Sequence, residues 1–172
     1  MSANLQYIKT ITSGAVSTLE LTDLFSARYD NYSLICRDIN ITSGGNYPYV
    51  MFRYLKASDG SVDSTSNYDY ANLPLGLVGT FGEWRNVNQT TFTHQYFDTV
   101  ANRSGGFIIN IYNPFDANSY TYTSSEGYSY YAGARYPTGF KGAGAHTVAQ
   151  SNSGLKLETG ITYATFELFG VV

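Results

Sequence analysis

The chain has 172 residues, 43% of them hydrophobic, 16% aromatic and only 13% charged, with a net charge of −3. That length suits one domain with a sizeable core. The acid balance and the scattered positions of ten Lys and Arg residues argue against nucleic-acid binding, which draws on a basic patch. No stretch approaches the roughly 20 apolar residues of a membrane-spanning helix, so no membrane insertion is expected, and Met1-Ser-Ala-Asn-Leu-Gln lacks the basic and apolar regions of a signal peptide. A soluble product made in a cytoplasm is therefore expected, and the four Asn-x-Ser/Thr sequons that begin at Asn31, Asn40, Asn88 and Asn102 read as chance matches.

In chain order the periodicity is that of strands. Tyr7 to Ile11 alternates and stops at Ser13-Gly14; Val16 to Leu21 follows, with Leu19 and Leu21 on one face. Asn31 to Ile41 is rich in β-branched and aromatic residues and carries the lone Cys36, which reads as a small buried hydrophobe with no intrachain disulfide partner. Tyr49 to Leu55 alternates and breaks at Ser58-Asp-Gly-Ser61, where Asp bonds its own backbone and Gly accepts positive φ. Ser64 to Asn88, with Gly76, Gly79 and Gly82 among its aromatics, reads as a long loop holding a short strand or helical turn. Phe92 to Phe97 is a further strand. So is Phe107 to Tyr112, with Phe107, Ile109 and Ile111 on one face and Pro114 as its stop.

Tyr120, Tyr122, Tyr128 and Tyr130 are all even-numbered, so a two-residue period places each pair on one face. Glu126-Gly127 between the pairs predicts a hairpin turn, with tyrosines paired across it. Gly139 to Gly144 reads as a flexible loop, and Thr162 to Val171 as the last strand, with Ala164, Phe166 and Leu168 facing one way. Eight to ten short strands predict an all-β fold: one single-domain antiparallel β-sandwich, jelly-roll-like, over residues 1–172, with a short N-terminal arm of about residues 1–7.

The search for chemistry yields little. Glu83 beside Trp84 is the best single carboxylate for glycan hydrolysis, but Asp98 or Glu126 pairs with it only by guesswork. Glu20, Glu158 and Glu167 read as solvent-facing strand residues. His94 and His146 are 52 residues apart and neither has a second ligand at metal spacing. No nucleophile-elbow motif surrounds any Ser, and Asp59-Gly-Ser-Val-Asp63 lacks the ligands of a calcium loop and reads as a solvated turn. No catalytic residue, cofactor or metal is therefore assigned. What remains is an aromatic contact surface: Tyr120, Tyr122, Tyr128, Tyr130, Tyr131 and Tyr136, with Trp84 as a possible sugar-stacking platform.

The order of motifs adds a resemblance. Tyr7-Ile-Lys-Thr-Ile, Ser17-Thr-Leu-Glu-Leu and Tyr29-Asp-Asn-Tyr-Ser-Leu-Ile open the chain. Phe52-Arg-Tyr-Leu, Asp59-Gly-Ser, Asn67-Tyr68 and Ile109-Asn-Ile-Tyr-Asn-Pro114 follow. A Ser153-Gly154 turn, Gly160 and Phe166-Glu-Leu-Phe-Gly-Val171 close it. This succession resembles a family of small β-sandwich virion proteins of tailed bacteriophages, often marine or cyanobacterial. Phe169 departs from it conservatively, standing where Tyr is common. The resemblance implies a non-enzymatic structural role in the virion, assembled in the host cytoplasm, as capsid decoration, head fibre or tail-fibre component. It carries over no active-site residues. Expected partners are further copies of the chain, a trimer being favoured, and the major capsid protein or tail proteins. Host surface glycan is the alternative ligand. An N-terminal segment Ser2 to Tyr7 is the expected anchor.

Overall fold

A computed structural model describes residues 4–41, 49–76, 82–96, 105–131 and 136–172; the side chains of Gly76, His94 to Tyr96, Tyr130, Tyr131 and Tyr136 lie outside the description. The described residues form twelve strands and no helix. In chain order they are β1 Leu5–Ser13, β2 Leu19–Leu21, β3 Asn31–Ile41, β4 Tyr49–Lys56, β5 Tyr68–Gly76 and β6 Trp84–Gln89. Then come β7 Phe92–Tyr96, β8 Gly105–Tyr112, β9 Thr121–Tyr131, β10 Tyr136–His146, β11 Asn152–Leu157 and β12 Ile161–Val171. They build an eight-stranded sheet, ordered β1-β12-β3-β8-β9-β10-β5-β6, and a four-stranded sheet, ordered β2-β11-β4-β7, with every pairing antiparallel. The architecture is an all-β sandwich.

The core lies between the sheets. Along β12, β3 and β8 the inward positions are apolar: Phe166 and Leu168, Leu34 and Cys36, Phe107, Ile109 and Ile111 are all buried. The small sheet covers them with Leu21, Val50, Phe52, Tyr54, Leu155 and Leu157. The other half of the large sheet is different. The inward residues of β9 are Thr121, Thr123, Ser125, Gly127 and Ser129, and those of β10 include Gly142 and Gly144. These small residues admit rings from neighbouring strands. A Cβ on Gly144 would stand 2.4 Å from the ring of Phe92, and one on Gly127 would stand 2.5 Å from that of Phe140.

Those contacts correct four expectations. First, β9 runs unbroken through Glu126-Gly127, because Gly127 makes room for flanking phenyl rings rather than for a turn. Tyr122 and Tyr128 therefore lie on one face of one strand, not on two arms of a hairpin. Second, Gly139 to Gly144 is the middle of β10, bonded to β9 and β5, and not a loop. Third, the middle segment holds two strands, β5 and β6, in place of a loop with one element. Fourth, Ser153-Gly154 lies in β11, not in a turn, and brings the backbone of β2 within reach; twelve strands replace the eight to ten expected. The N-terminal arm is also shorter than expected: β1 begins at Leu5, and Tyr7 is registered with Phe169 of β12. Ser2 and Ala3 lie outside the described residues.

The expected strand Val16 to Leu21 reduces to Leu19–Leu21, with Val16 in an isolated bridge to Ile161, while other readings agree. The strand Asn31 to Ile41 has those bounds, Asn113 adopts positive φ before Pro114, and the Asp59 carboxylate accepts from the Ser61 amide at 2.9 Å beside Gly60 at φ 73°. A Cβ at Gly154 would stand 2.2 Å from the Leu21 carbonyl oxygen, whereas one at Gly14 meets nothing. Gly154→Ala is expected to cost about 2 kcal/mol or more through the forced separation of β11 from β2, and Gly14→Ala to stay within about 0.5 kcal/mol. Urea unfolding of both variants measures the contrast; equal midpoints would sink it.

Candidate functional site

Three places gather functional groups. The first is the outer face of the large sheet. Register carries Glu126 of β9 onto Ile108 of β8 on one side and Lys141 of β10 on the other, and Lys141 onto Leu73 of β5. The next row runs Gly106, Tyr128, Gly139, Leu75. Tyr128 is 61% exposed and both its cross-strand neighbours lack side chains, so its ring stands proud and leans its hydroxyl over Gly106. Tyr112 and Tyr122 pair across β8 and β9 and are also exposed, as are Tyr120, Leu73 and Leu75. The Tyr112 hydroxyl and Ser124 Oγ are 3.2 Å apart. A shallow trough of about 390 Å³ runs beside Tyr128, walled by Ile35, Ile108 and Leu75. Two opposite-charge pairs lie here: Lys141 Nζ is 3.6 Å from Glu126 Oε2, and Arg37 pairs with Glu167. Of the predicted surface, Tyr120, Tyr122 and Tyr128 are thus exposed. Tyr130, Tyr131 and Tyr136 sit at the far ends of β9 and β10, where their side chains are not described.

The second place is a cleft of about 520 Å³ between the β5–β6 edge and strands β4 and β7, lined by Tyr49, Tyr70, Glu83, Trp84, Arg85, Asn86 and Thr93. The rings of Tyr49 and Trp84 are 5.5 Å apart, tilted by 42°. Asn86 Nδ2 donates to the Tyr70 hydroxyl at 3.2 Å. Trp84 therefore does not belong to the tyrosine face; it sits at another edge of the molecule, half-buried. Glu126 is committed to Lys141 on the sheet face, and Asp98 lies outside the described residues, so neither completes a carboxylate pair with Glu83 on the described structure.

The third place was not visible in the sequence. Asp63 is 2% exposed and His146 is 0% exposed, which corrects the reading of Asp63 as part of a solvated turn. His146 Nε2 lies 3.0 Å from Asp63 Oδ2, and Gln150 Nε2 donates to the same oxygen at 3.0 Å. Thr65 donates its amide (3.0 Å) and its hydroxyl to Oδ1. Gln150 and Asn152 extend the network to Thr121. The rings of Tyr54 and Tyr68 enclose the imidazole at 5.1 and 4.7 Å. Burial raises the Asp63 carboxyl, but the Thr65 and His146 bonds outweigh it and hold its pKa below the ordinary 3.8. Burial is the main cause that lowers His146 below the ordinary 6.5, against the pull of Asp63. The imidazole is thus neutral and donates from Nε2, which leaves the buried Nδ1 without a hydrogen-bond partner. Through Tyr68, Gln150 and Asn152 the pair ties the β5, β10 and β11 ends together. The signal for it was His146 at the end of an apolar-and-glycine strand, but Asp63 is 83 residues away.

Cys36 is buried in the core, and burial pushes its thiol well above the ordinary range. Two further glutamates form ion pairs with basic side chains, Glu158 with Arg53 and Glu20 with Lys156. Among the described residues no three His, Cys, Asp or Glu side chains converge on a metal site.

No protein-family model matches the chain, and no curated protein matches it. Two solved structures align with it. One is a Scytalido-glutamic peptidase with a peptide-based transition-state analog, at 13% identity and a TM-score of 0.23, covering 97% of this chain and 65% of that one. The other is SCP-B, an Eqolisin-family peptidase with the tripeptide Ala-Ile-His, at 11% identity and a TM-score of 0.23, covering 97% and 64%. The chain thus spans just under two thirds of each, and likeness at this level carries no functional argument.

The buried pair makes stability depend on pH. A neutral His146 whose folded pKa is depressed stabilises the fold above pH 6.5, and that stability is lost as pH falls below it. The Asp63 contribution is lost only below pH 3.8. The thermal midpoint should therefore drop between pH 7.5 and pH 5, and His146→Gln should flatten that drop. Calorimetry across the range decides it, and a wild-type midpoint that ignores pH would contradict the assignment.

Proposed function

We propose that this chain is a non-enzymatic structural module displayed on the exterior of a tailed-phage particle, as capsid decoration or head fibre, and that the outer face of its eight-stranded sheet is the contact surface. The observation that carries the reading is the row of exposed tyrosines and leucines on a face that also carries the Glu126–Lys141 and Glu167–Arg37 pairs. Aromatic residues are what protein interfaces enrich, and tyrosine is among their most frequent anchors. The motif resemblance supplies the particle context. The partners in this reading are further copies of the chain and the major capsid protein or tail proteins.

One observation favours a second reading, a tail-fibre component that recognises host surface glycan. The Trp84 cleft sets an aromatic wall beside a carboxylate, a guanidinium and an amide, a combination that stacks on a sugar ring and bonds its hydroxyls.

Quantitative mass spectrometry of purified particles, with heads and tails separated, tests both. The proposal expects the chain on heads at a copy number comparable to the major capsid protein. A few copies confined to tails favour the second reading, in which Trp84→Ala weakens glycan binding by about tenfold. Absence from both fractions overturns the particle assignment.

A further inference from the structure

We infer that the occupant of the outer face is a second copy of this chain, packed sheet against sheet about a two-fold axis that runs between β9 and β10 and parallel to them. The inference rests on the reading of that face as a contact surface and names its partner.

The pattern along the two central strands points to this arrangement. Outward from β9 stand Tyr122, Ser124, Glu126 and Tyr128, and level with them on β10 stand Ala145, Ala143, Lys141 and Gly139. A two-fold axis between these strands lays β9 of each copy on β10 of the other. Tyr128 then enters the gap over Gly139 of the second copy, Tyr122 lies over Ala145, Ser124 over Ala143, and Glu126 meets Lys141. One strand further out, β8 falls on β5: Leu75 fills the gap over Gly106, and Ile108 meets Leu73. Tyr128, Tyr122 and Leu75 face small residues, Glu126 faces Lys141, and at the edge of the overlap Asp69 of β5 falls on the Tyr112 ring. The charge contacts occur twice, because an isologous interface repeats every contact.

Neighbouring axes fail. Placed on β9 itself, the axis sets Glu126 against Glu126. Shifted to lie between β8 and β9, it buries the Glu126 carboxylate on Ile108 with no cation opposite. Aligned sheets rotate by about 30° about the contact, so the correspondence is closest at the central strands, where the complementarity is strongest.

The area is sufficient. With this axis six strands of each copy overlap, from β3 to β6 in sheet order. At about 4.8 Å between strands and about 3.3 Å per residue over eight residues, the overlap is roughly 750 Å² per copy. A standard stable interface buries about 800 Å² per partner. The two-fold pairing takes the place of the three-fold assembly expected from sequence.

Sedimentation velocity of the full chain tests this. The wild type should run as a dimer of 38.0 kDa, twice 19.0 kDa. E126K sets two lysines against each other across the axis, and K141E sets two glutamates, so each should weaken self-association by about 100-fold and run as a monomer. An equimolar mixture of E126K and K141E chains should restore a dimer, because each acid again meets a base between copies. The Glu126–Lys141 pair within each chain stays broken in that mixture, so recovery reports only the contact between copies. Circular dichroism checks that each variant keeps its strands. A monomeric wild type, dimerisation untouched by either variant, or a mixture of folded chains that stays monomeric would each overturn the inference. A monomer found on particles leaves the particle reading standing while this one fails, and a dimer absent from particles does the reverse.

Discussion

Everything in this molecule depends on how closely the two sheets approach over strands β9, β10 and β5. Sheets pack at about 10 Å when ordinary side chains interdigitate between them. Here the inward row Ser125, Gly142, Asn72 and the row Thr123, Gly144, Tyr70 are small or polar. The space is filled from the other side by Phe92, whose ring packs against Phe52 at 5.0 Å and Tyr68 at 5.0 Å. Restoring a Cβ at Gly144 would collide with that ring. The glycines of β10 are therefore part of the packing, and they determine where the aromatic cluster of the small sheet can sit.

The same strand shapes the opposite face. Side chains alternate, so Gly142 and Gly144 face inward and Gly139, Ala143 and Ala145 outward, and both sets are small. Its neighbour β9 is small inside but carries Tyr122 and Tyr128 outside. A ridge beside a furrow results, with Glu126 and Lys141 between them. The polar inner half has a cost, since buried hydroxyls and amides need partners. Asn72 Nδ2 donates to the Thr93 carbonyl at 2.7 Å, and Asn152 Nδ2 donates to Thr121 Oγ1 at 3.0 Å. Among the described residues Asn72 Oδ1 and Thr123 Oγ1 have no hydrogen-bond partner. This half is held by a hydrogen-bonded network around Asp63 and the other by apolar contact.

How much of this was legible in the sequence follows from what each signal measures. Strands whose buried faces are aliphatic, such as Asn31–Ile41 and Ile161–Val171, announced themselves because alternation there directly reflects burial. Tyr122 and Tyr128, expected on two arms of a hairpin, share one face of the single strand β9. Glycine misled the reading three times, at Gly127, across Gly139 to Gly144 and at Gly154, because a glycine needed for a turn and one needed for close packing look identical in a single sequence. The strand β5 was hidden because Gly76, Gly79 and Gly82 among the aromatics read as a loop, although β5 pairs with β10 and β6. The Asp63–His146 pair was illegible in principle: nothing local links two residues that meet only when β5, β10 and β11 have assembled.

The location of that pair explains why it can be polar at all. It sits where the loop after β4 passes the end of β10, and Tyr68, whose hydroxyl donates to the Asp63 carbonyl and accepts from the Tyr54 amide, bridges the two sheets there. A purely apolar plug would leave the backbone groups of this crossing unsatisfied, at a cost comparable to a lost hydrogen bond for each. An ionised Asp63 that accepts from two Thr65 groups, Gln150 and His146 satisfies the crossing and fixes its geometry. The ends of β10 and β5 are thereby anchored, and with them the registry of Gly139, Lys141 and Leu73 on the outer face. The order of that face is thus a consequence of polar contacts buried on the other side of the same strands.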